Sequence, residues 1–218
     1  MARQAKKPEK TARWRRWAGL AVLGAACVST AWAGLKVRAY LATSSQFTLS
    51  RDDPNAIAIE GLRYAPRSLV IRVFAGDFNR SVFSIPLAER RRRLLGIDWV
   101  EDASVSRLWP GRLTVRIRER KPVAFVMPGS GLLLLIDANG VLLDPPAQAE
   151  FSFPVLSGIR EDFTEPERRE RVRAFLAFER DMGRDAKSIS EVDAADPEDL
   201  LVVAQMGDRA VSLHMGDA

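Results

Sequence analysis

The chain has 218 residues, 47% of them hydrophobic and 28% charged, enough for one or two small domains with a real core. Cys27 is the only cysteine and His214 the only histidine, which excludes an intramolecular disulfide, a His-rich metal site and a Cys/His nucleophile pair. The net charge of +5 sits in the tail: residues 1–16 hold Arg3, Lys6, Lys7, Lys10, Arg13, Arg15 and Arg16 against Glu9 alone, so the remainder carries −1 and offers no basic nucleic-acid face.

Residues 18–35 read AGLAVLGAACVSTAWAGL without a charge. A spanning helix needs about 20 mostly apolar residues. Arg13, Trp14, Arg15, Arg16 and Trp17 precede the segment, and Trp32 and Tyr40 lie near its far end, the aromatic and basic flanks expected at membrane interfaces. The basic side stays in the cytoplasm, so the bulk of the chain is exported. Ala31-Trp32-Ala33 also has the form of a leader cleavage site. A retained anchor and a cleaved leader are therefore both open on these residues, and both export the body.

Residues 36–55 are polar, contain Asp52-Asp53-Pro54-Asn55 and read as a linker. Ala56–Glu60 alternates and is closed by Gly61, a strand signature. Leu69, Val70 and Val73 follow Pro66 at helical spacing. A second helix is expected from Pro86 to Leu95, capped by Ser84, with Leu87, Leu94 and Leu95 on one face. It carries Arg90-Arg91-Arg92-Arg93, read as a solvated face in preference to an anion or lipid-headgroup site. Val100–Arg107 and Arg112–Arg120 alternate about the turn Trp109-Pro110-Gly111 and form a hairpin. Leu113, Val115 and Ile117 face inward there. The order is strand, helix, helix, strand, strand. Trp99 and Trp109 are read as core residues at the two ends of the hairpin, in preference to exposed binding anchors.

Lys121-Pro122 marks a boundary. Strands are expected at Val123–Met127, Leu132–Ile136, Val141–Leu143 and Pro154–Leu156, with a turn at Asp137-Ala138-Asn139-Gly140. One helix follows, with Thr164 and Glu167 as its capping box and Val172, Phe175, Leu176 and Met182 as its apolar stripe. Ile189–Val192, Leu200–Ala204 and Ala210–His214 complete the strands.

The run Gly96-Ile97-Asp98-Trp99-Val100-Glu101-Asp102-Ala103-Ser104-Val105-Ser106-Arg107-Leu108-Trp109-Pro110, then Leu113-Thr114-Val115 and Glu119-Arg120-Lys121-Pro122-Val123-Ala124, resembles the signature of the bacterial cell-division protein family FtsQ (DivIB in some bacteria). Asp98 stands where that family often has proline. Ile136-Asp137 with Gly140, and Phe153-Pro154-Val155-Leu156 with Gly158, are similar to two further motifs of the family, in order. The resemblance implies an α+β chain. Residues 1–16 form a basic cytoplasmic tail, 17–35 a single transmembrane helix and 36–55 a linker. A POTRA domain (β-α-α-β-β) spans 56–121, and a mainly antiparallel β domain with one long helix spans 122–218. It favours the retained anchor. Members of the family usually continue with a helix and a late strand implicated in binding FtsB, so the chain is expected to be C-terminally incomplete.

Catalysis is set aside. His214 lacks the oriented partners of a triad. The acidic pairs Asp52/Asp53 and Glu101/Asp102 read as surface charge rather than facing carboxylates. Gly129-Ser130-Gly131 lacks the Lys-Ser/Thr of a phosphate loop. No enzyme activity, cofactor, metal, nucleic acid or small-molecule substrate is expected. The resemblance implies a non-catalytic scaffold of the divisome at the septum of the inner membrane. It links early and late division proteins, with FtsB and FtsL as partners outside the cytoplasm and FtsK through the POTRA domain. Sheet edges suit such a role, because they receive a partner strand. The edge candidates are Asp102, Val105 and Arg107 on one strand and Val211, Leu213 and His214 on the other. Gly19, Gly24, Ala25 and Ala26 permit close helix approach, or are apolar filler. The alternative function is a POTRA-type periplasmic module of an outer-membrane assembly or secretion system.

Overall fold

The computed structural model describes residues 10–129, 131–147, 149–206 and 209–215; for residues 10–19, 185, 187–188, 204–206 and 209–215 it describes the backbone alone. Its helices are α1 (Lys10–Thr43), α2 (Arg67–Val73), α3 (Leu87–Leu94) and α4 (Glu165–Met182). Its strands are β1 (Ile57–Glu60), β2 (Val100–Leu108), β3 (Arg112–Glu119), β4 (Pro122–Val126), β5 (Leu134–Asp137), β6 (Leu142–Leu143), β7 (Val155–Ser157), β8 (Ile189–Asp193), β9 (Leu200–Met206) and β10 (Arg209–Met215). The expected order strand, helix, helix, strand, strand is present as β1, α2, α3, β2, β3. One sheet runs β1-β3-β2, and a second, seven-stranded sheet runs β10-β9-β8-β7-β4-β5-β6.

Two compact units divide the chain: Met1–Ala56 with Asp77–Ile85 and Arg107–Leu113, and Ile57–Gly76 with Pro86–Ser106 and Thr114–Ala218. The division cuts across β2 and β3.

In the first unit, α1 contains a 24-residue segment, Leu20–Thr43, long and apolar enough to cross a membrane, with Lys36 and Arg38 toward its far end. Hydroxyls in its charge-free part bond within the helix: Ser29 Oγ donates to the Ala25 carbonyl at 2.8 Å and Thr30 Oγ1 to the Ala26 carbonyl at 3.0 Å. That arrangement suits a solvent that accepts no hydrogen bonds. The linker reading of residues 36–55 is corrected. The helix runs on to Thr43, a single turn of 3-10 helix follows at Ser45–Phe47, and Phe47 and Leu49 are buried. Phe47 packs edge-on against Tyr40 and Phe83, with ring centroids 6.2 and 5.2 Å apart. Leu49 exchanges backbone bonds with Asn79 and Arg80, each 2.9 Å. Burying these apolar rings and side chains outweighs the polar composition that suggested a tether.

In the second unit, Val115 and Ile117 of β3 point into the core, while Arg116 and Arg118 stay exposed and pair with Glu60 of β1 at 2.8 Å and Glu101 of β2 at 3.1 Å. The alternation is the period of two of a half-wet sheet. The cap expected of Ser84 is corrected: Ser84 Oγ donates to the Ser81 carbonyl, and Pro86 stands at the N-cap of α3. Helix α4 has the expected capping box between Thr164 and Glu167. It buries Val172, Phe175 and Phe178 against Ala124, Val126, Leu156 and Val192. A buried side chain of this size contributes roughly 1.5–3 kcal/mol. The seven-stranded sheet is antiparallel except at β7, which lies parallel to both β4 and β8. Helix α4 is the crossover that a parallel β7–β8 pair requires.

Candidate protein-interaction edges and the Glu119–Arg120 junction

Both strands that carry the edge candidates lie at sheet edges, β2 in the smaller sheet and β10 in the larger. They are not equally open. On β2, Asp102 Oδ1 accepts the Ala103 N–H at 2.8 Å, and Arg91 of α3 donates to the Ala103 carbonyl at 2.7 Å and to Asp102 at 2.8 Å. Both backbone groups of Ala103 are thus taken by side chains, a way of blunting an edge. The Arg91 guanidinium and the Ala103 N–H hold the Asp102 carboxyl below its ordinary range. Val105 is half-buried. Arg107 donates to the carbonyls of Val82 at 2.7 Å and Ile85 at 3.0 Å, so its guanidinium serves the fold.

Strand β10 pairs antiparallel with β9 over its whole length, from Arg209 opposite Met206 to Met215 opposite Leu200. Val211 and Leu213 lie on one face and His214 on the other, by the alternation of a strand. Their side chains, and those of Arg13, Trp14, Arg15, Arg16 and Trp17 on α1, lie outside the described set, as do Arg3, Lys6, Lys7 and Glu9 altogether. Trp32 and Tyr40 are exposed on α1.

The four arginines of α3 divide as well. Arg90 is buried, Arg91 holds Asp102 and Arg93 pairs with Glu89, so the run is mostly consumed by the fold. Trp99 is buried, and its Nε1 donates to the Asp144 carbonyl at 2.9 Å. Trp109 is 75% exposed, which corrects its reading as core. It stands in the β2–β3 turn, and aromatic character alone does not bury a turn residue.

Sequence reasoning missed a junction at the foot of β3. The Glu119 carboxylate accepts the backbone N–H groups of Arg63, Tyr64 and Ala65 at 2.9, 2.9 and 2.7 Å, fixing the entry to α2. The next residue, Arg120, donates to Asp137 Oδ2 at 2.9 Å and to the Asp98 carbonyl at 2.9 Å. Asp137 in turn accepts the N–H groups of Asn139 and Val141 through Oδ1. Side chains of neighbouring strand residues point to opposite faces, so one dipeptide reaches two loops. The sequence signal was the run Glu119-Arg120-Lys121-Pro122, used only as a motif. Beside the junction Tyr64, Trp99 and Phe151 pack together, and a groove of about 1070 Å³ opens along Tyr64, Ile97, Asp98, Trp99, Pro145 and Glu150. Among the described residues no group of three His, Cys, Asp or Glu side chains is placed to hold a metal ion.

Residues 54–120 match the family described as POTRA domain, FtsQ-type. The chain is similar to proteins named Cell division protein FtsQ. It is 38% identical to that of Koribacter versatilis over 216 residues, 96% of this chain and 61% of the relative. It is 35% identical to that of Zymomonas mobilis over 47% of this chain and 33% of the relative. It is 28% identical to that of Geotalea daltonii over 72% of this chain and 58% of the relative. The chain thus spans about three fifths of the length of the first and third of these relatives and about a third of the second. Residues 54–120 thus form an FtsQ-type POTRA domain, and along nearly its whole length the chain is similar to a protein of the FtsQ family.

Proposed function

We propose that the chain is a non-catalytic scaffold of the bacterial divisome, anchored in the inner membrane by α1 and presenting strand edges outside the cytoplasm at the septum. In this reading residues 1–16 stay in the cytoplasm and 17–35 span the bilayer. Residues 56–121 act as the POTRA domain and 122–218 as the second interaction domain. FtsB and FtsL are the partners on the outer side, and FtsK contacts the POTRA domain.

The observation that carries the reading is the position of β10. It is a seven-residue strand paired on one side by β9 and standing last in its sheet among the described residues. A partner strand adds to such an edge through backbone hydrogen bonds. The Ala103 clasp on β2 makes that edge the poorer acceptor. The test is a proline scan with cross-linking in dividing cells. Neighbouring strand residues direct their N–H groups to opposite sides, so Ser212→Pro and Leu213→Pro separate the two roles. One disrupts pairing with β9 and lowers stability; the other removes an outward donor, leaves the fold and reduces FtsB capture. Equal capture by a folded variant of either kind overturns β10 as the docking edge. N-terminal sequencing tests the anchor: an intact tail supports it, and a new start at Gly34 refutes it.

A further inference from the structure

The β2–β3 turn exposes two large apolar residues, Leu108 at 47% and Trp109 at 75%. Water is a poor environment for them, and a tryptophan prefers the boundary between hydrocarbon and water. Within the first unit the turn lies beside the segment that follows α1. Tyr40, on the last turns of α1, is exposed and accepts a hydrogen bond on its hydroxyl from Gln46 Nε2 at 3.0 Å. Its ring meets that of Phe47, which meets that of Phe83, itself 40% exposed. The turn is pressed onto the same short segment. A Cβ on Gly111 would lie 2.9 Å from the carbonyl oxygens of both Gln46 and Thr48. Arg107, just before the turn, is fastened to the carbonyls of Val82 and Ile85. The turn is therefore held against the segment just after α1, on which Phe47 meets Tyr40, by backbone packing and hydrogen bonds.

In the anchor reading residues 17–35 span a hydrocarbon core of about 30 Å, Lys36 and Arg38 follow, and Tyr40 lies five residues, about 7.5 Å, past Leu35. Tyr40 then falls in the headgroup layer, where the aromatic belt of a spanning helix lies. From this geometry we infer that the turn carrying Leu108 and Trp109 is a second membrane contact, seated in the outer headgroup layer beside α1. Its ligand is the lipid surface. The inference rests on the anchor reading of α1 and adds to it. A helix alone leaves the attached domain free to tilt and rotate. A turn seated beside the helix exit gives the first unit a second point of attachment and limits that tilt.

The experiment uses the full chain in phosphatidylcholine vesicles with acyl chains brominated either near the headgroup or near the terminus. Trp14 and Trp17 are replaced by Phe. Trp99 is kept throughout as a buried reference whose emission reports an intact fold. One variant then retains Trp109 with Trp32→Phe, one retains Trp32 with Trp109→Phe, and a third carries both substitutions. The expected result is loss of Trp109 fluorescence with the shallow bromines and protection of Trp109 from aqueous iodide. Trp109 fully open to iodide and untouched by bromine, while Trp32 is quenched, overturns the inference and leaves the anchor standing. Protection of Trp109 only when a partner protein is added overturns it as well. Failure of bromine to quench Trp32 in either position overturns the anchor reading, and the inference with it.

Discussion

Arg120 reaches Asp137 across 2.9 Å, and the Asp137 side chain is only 3% exposed. This ion pair ties the end of β3 to the Asp137-Ala138-Asn139-Gly140 turn after β5. Its partner groups are all accounted for, since Asp137 Oδ1 takes two backbone N–H groups while Oδ2 takes the guanidinium. The pair is a means of holding two loops in one arrangement.

Arg120→Met leaves a buried carboxylate without its cation and costs about 3 kcal/mol, the lower end for breaking a buried pair, because the two N–H donors remain. The double variant Arg120→Met, Asp137→Asn removes the charge yet keeps an acceptor for those donors, and it regains part of the loss. Urea denaturation of the two variants and the parent checks both statements. A double variant no more stable than Arg120→Met refutes the burial argument.

Glu119→Ala leaves the N–H groups of Arg63, Tyr64 and Ala65 without their shared acceptor and destabilises by about 2–4 kcal/mol, the scale for losing charge-assisted bonds in a part-buried site. Glu119→Gln keeps one acceptor oxygen and loses about half as much. Amide exchange at Tyr64 and Ala65 rises in the alanine variant ahead of the rest of the fold. Unchanged protection there shows that the carboxylate does not hold the loop.

Gly61 closes β1 at φ +84°, and a Cβ placed on it would lie 2.0 Å from the Ile117 carbonyl oxygen. Gly61→Ala therefore meets both a strained backbone and a clash with β3. The expected loss exceeds about 2 kcal/mol, against the few tenths of most surface changes. Thermal unfolding measures it, and Gly76→Ala, where nothing lies within 4 Å, is the control.

Asp102 and Glu167 both titrate below their ordinary values of 3.8 and 4.5, Asp102 through Arg91 and the Ala103 N–H, Glu167 through Thr164. A carboxyl with a depressed folded-state pKa binds its proton more readily when unfolded. Its contribution is therefore complete above the unfolded value and is lost as pH falls through the folded one. Stability is expected to decline below about pH 4.5, and Asp102→Asn to flatten part of that decline. Denaturation midpoints between pH 6 and pH 3 test the slope. An equal slope in parent and variant shows that the clasp on β2 adds nothing.

How much of this was legible beforehand follows from the range of each interaction. Ile117 against Arg116 and Arg118 is a period of two, and Thr164 with Glu167 is a spacing of three, so β3 and the start of α4 were readable along the chain. Trp99 and Trp109 were not separable, because both flank the same hairpin and only their neighbours in space differ. Phe178 was missed on the α4 stripe, though it lies three residues beyond Phe175 and is 8% exposed. The junction was invisible in its function, since Glu119 binds residues more than fifty positions away.

The sequence by itself determined the apolar part of α1, the order of the POTRA elements and the resemblance to the FtsQ family, because composition, periodicity and ordered motifs are properties of neighbours along the chain. Only the tertiary structure decided which edge is blunted by Arg91, that residues 44–49 join the fold as a packed seat and not a tether, and that Trp109 stands exposed above that seat. Each depends on side chains meeting at long sequence separation, and burial at such distances is settled by packing, which no local pattern encodes.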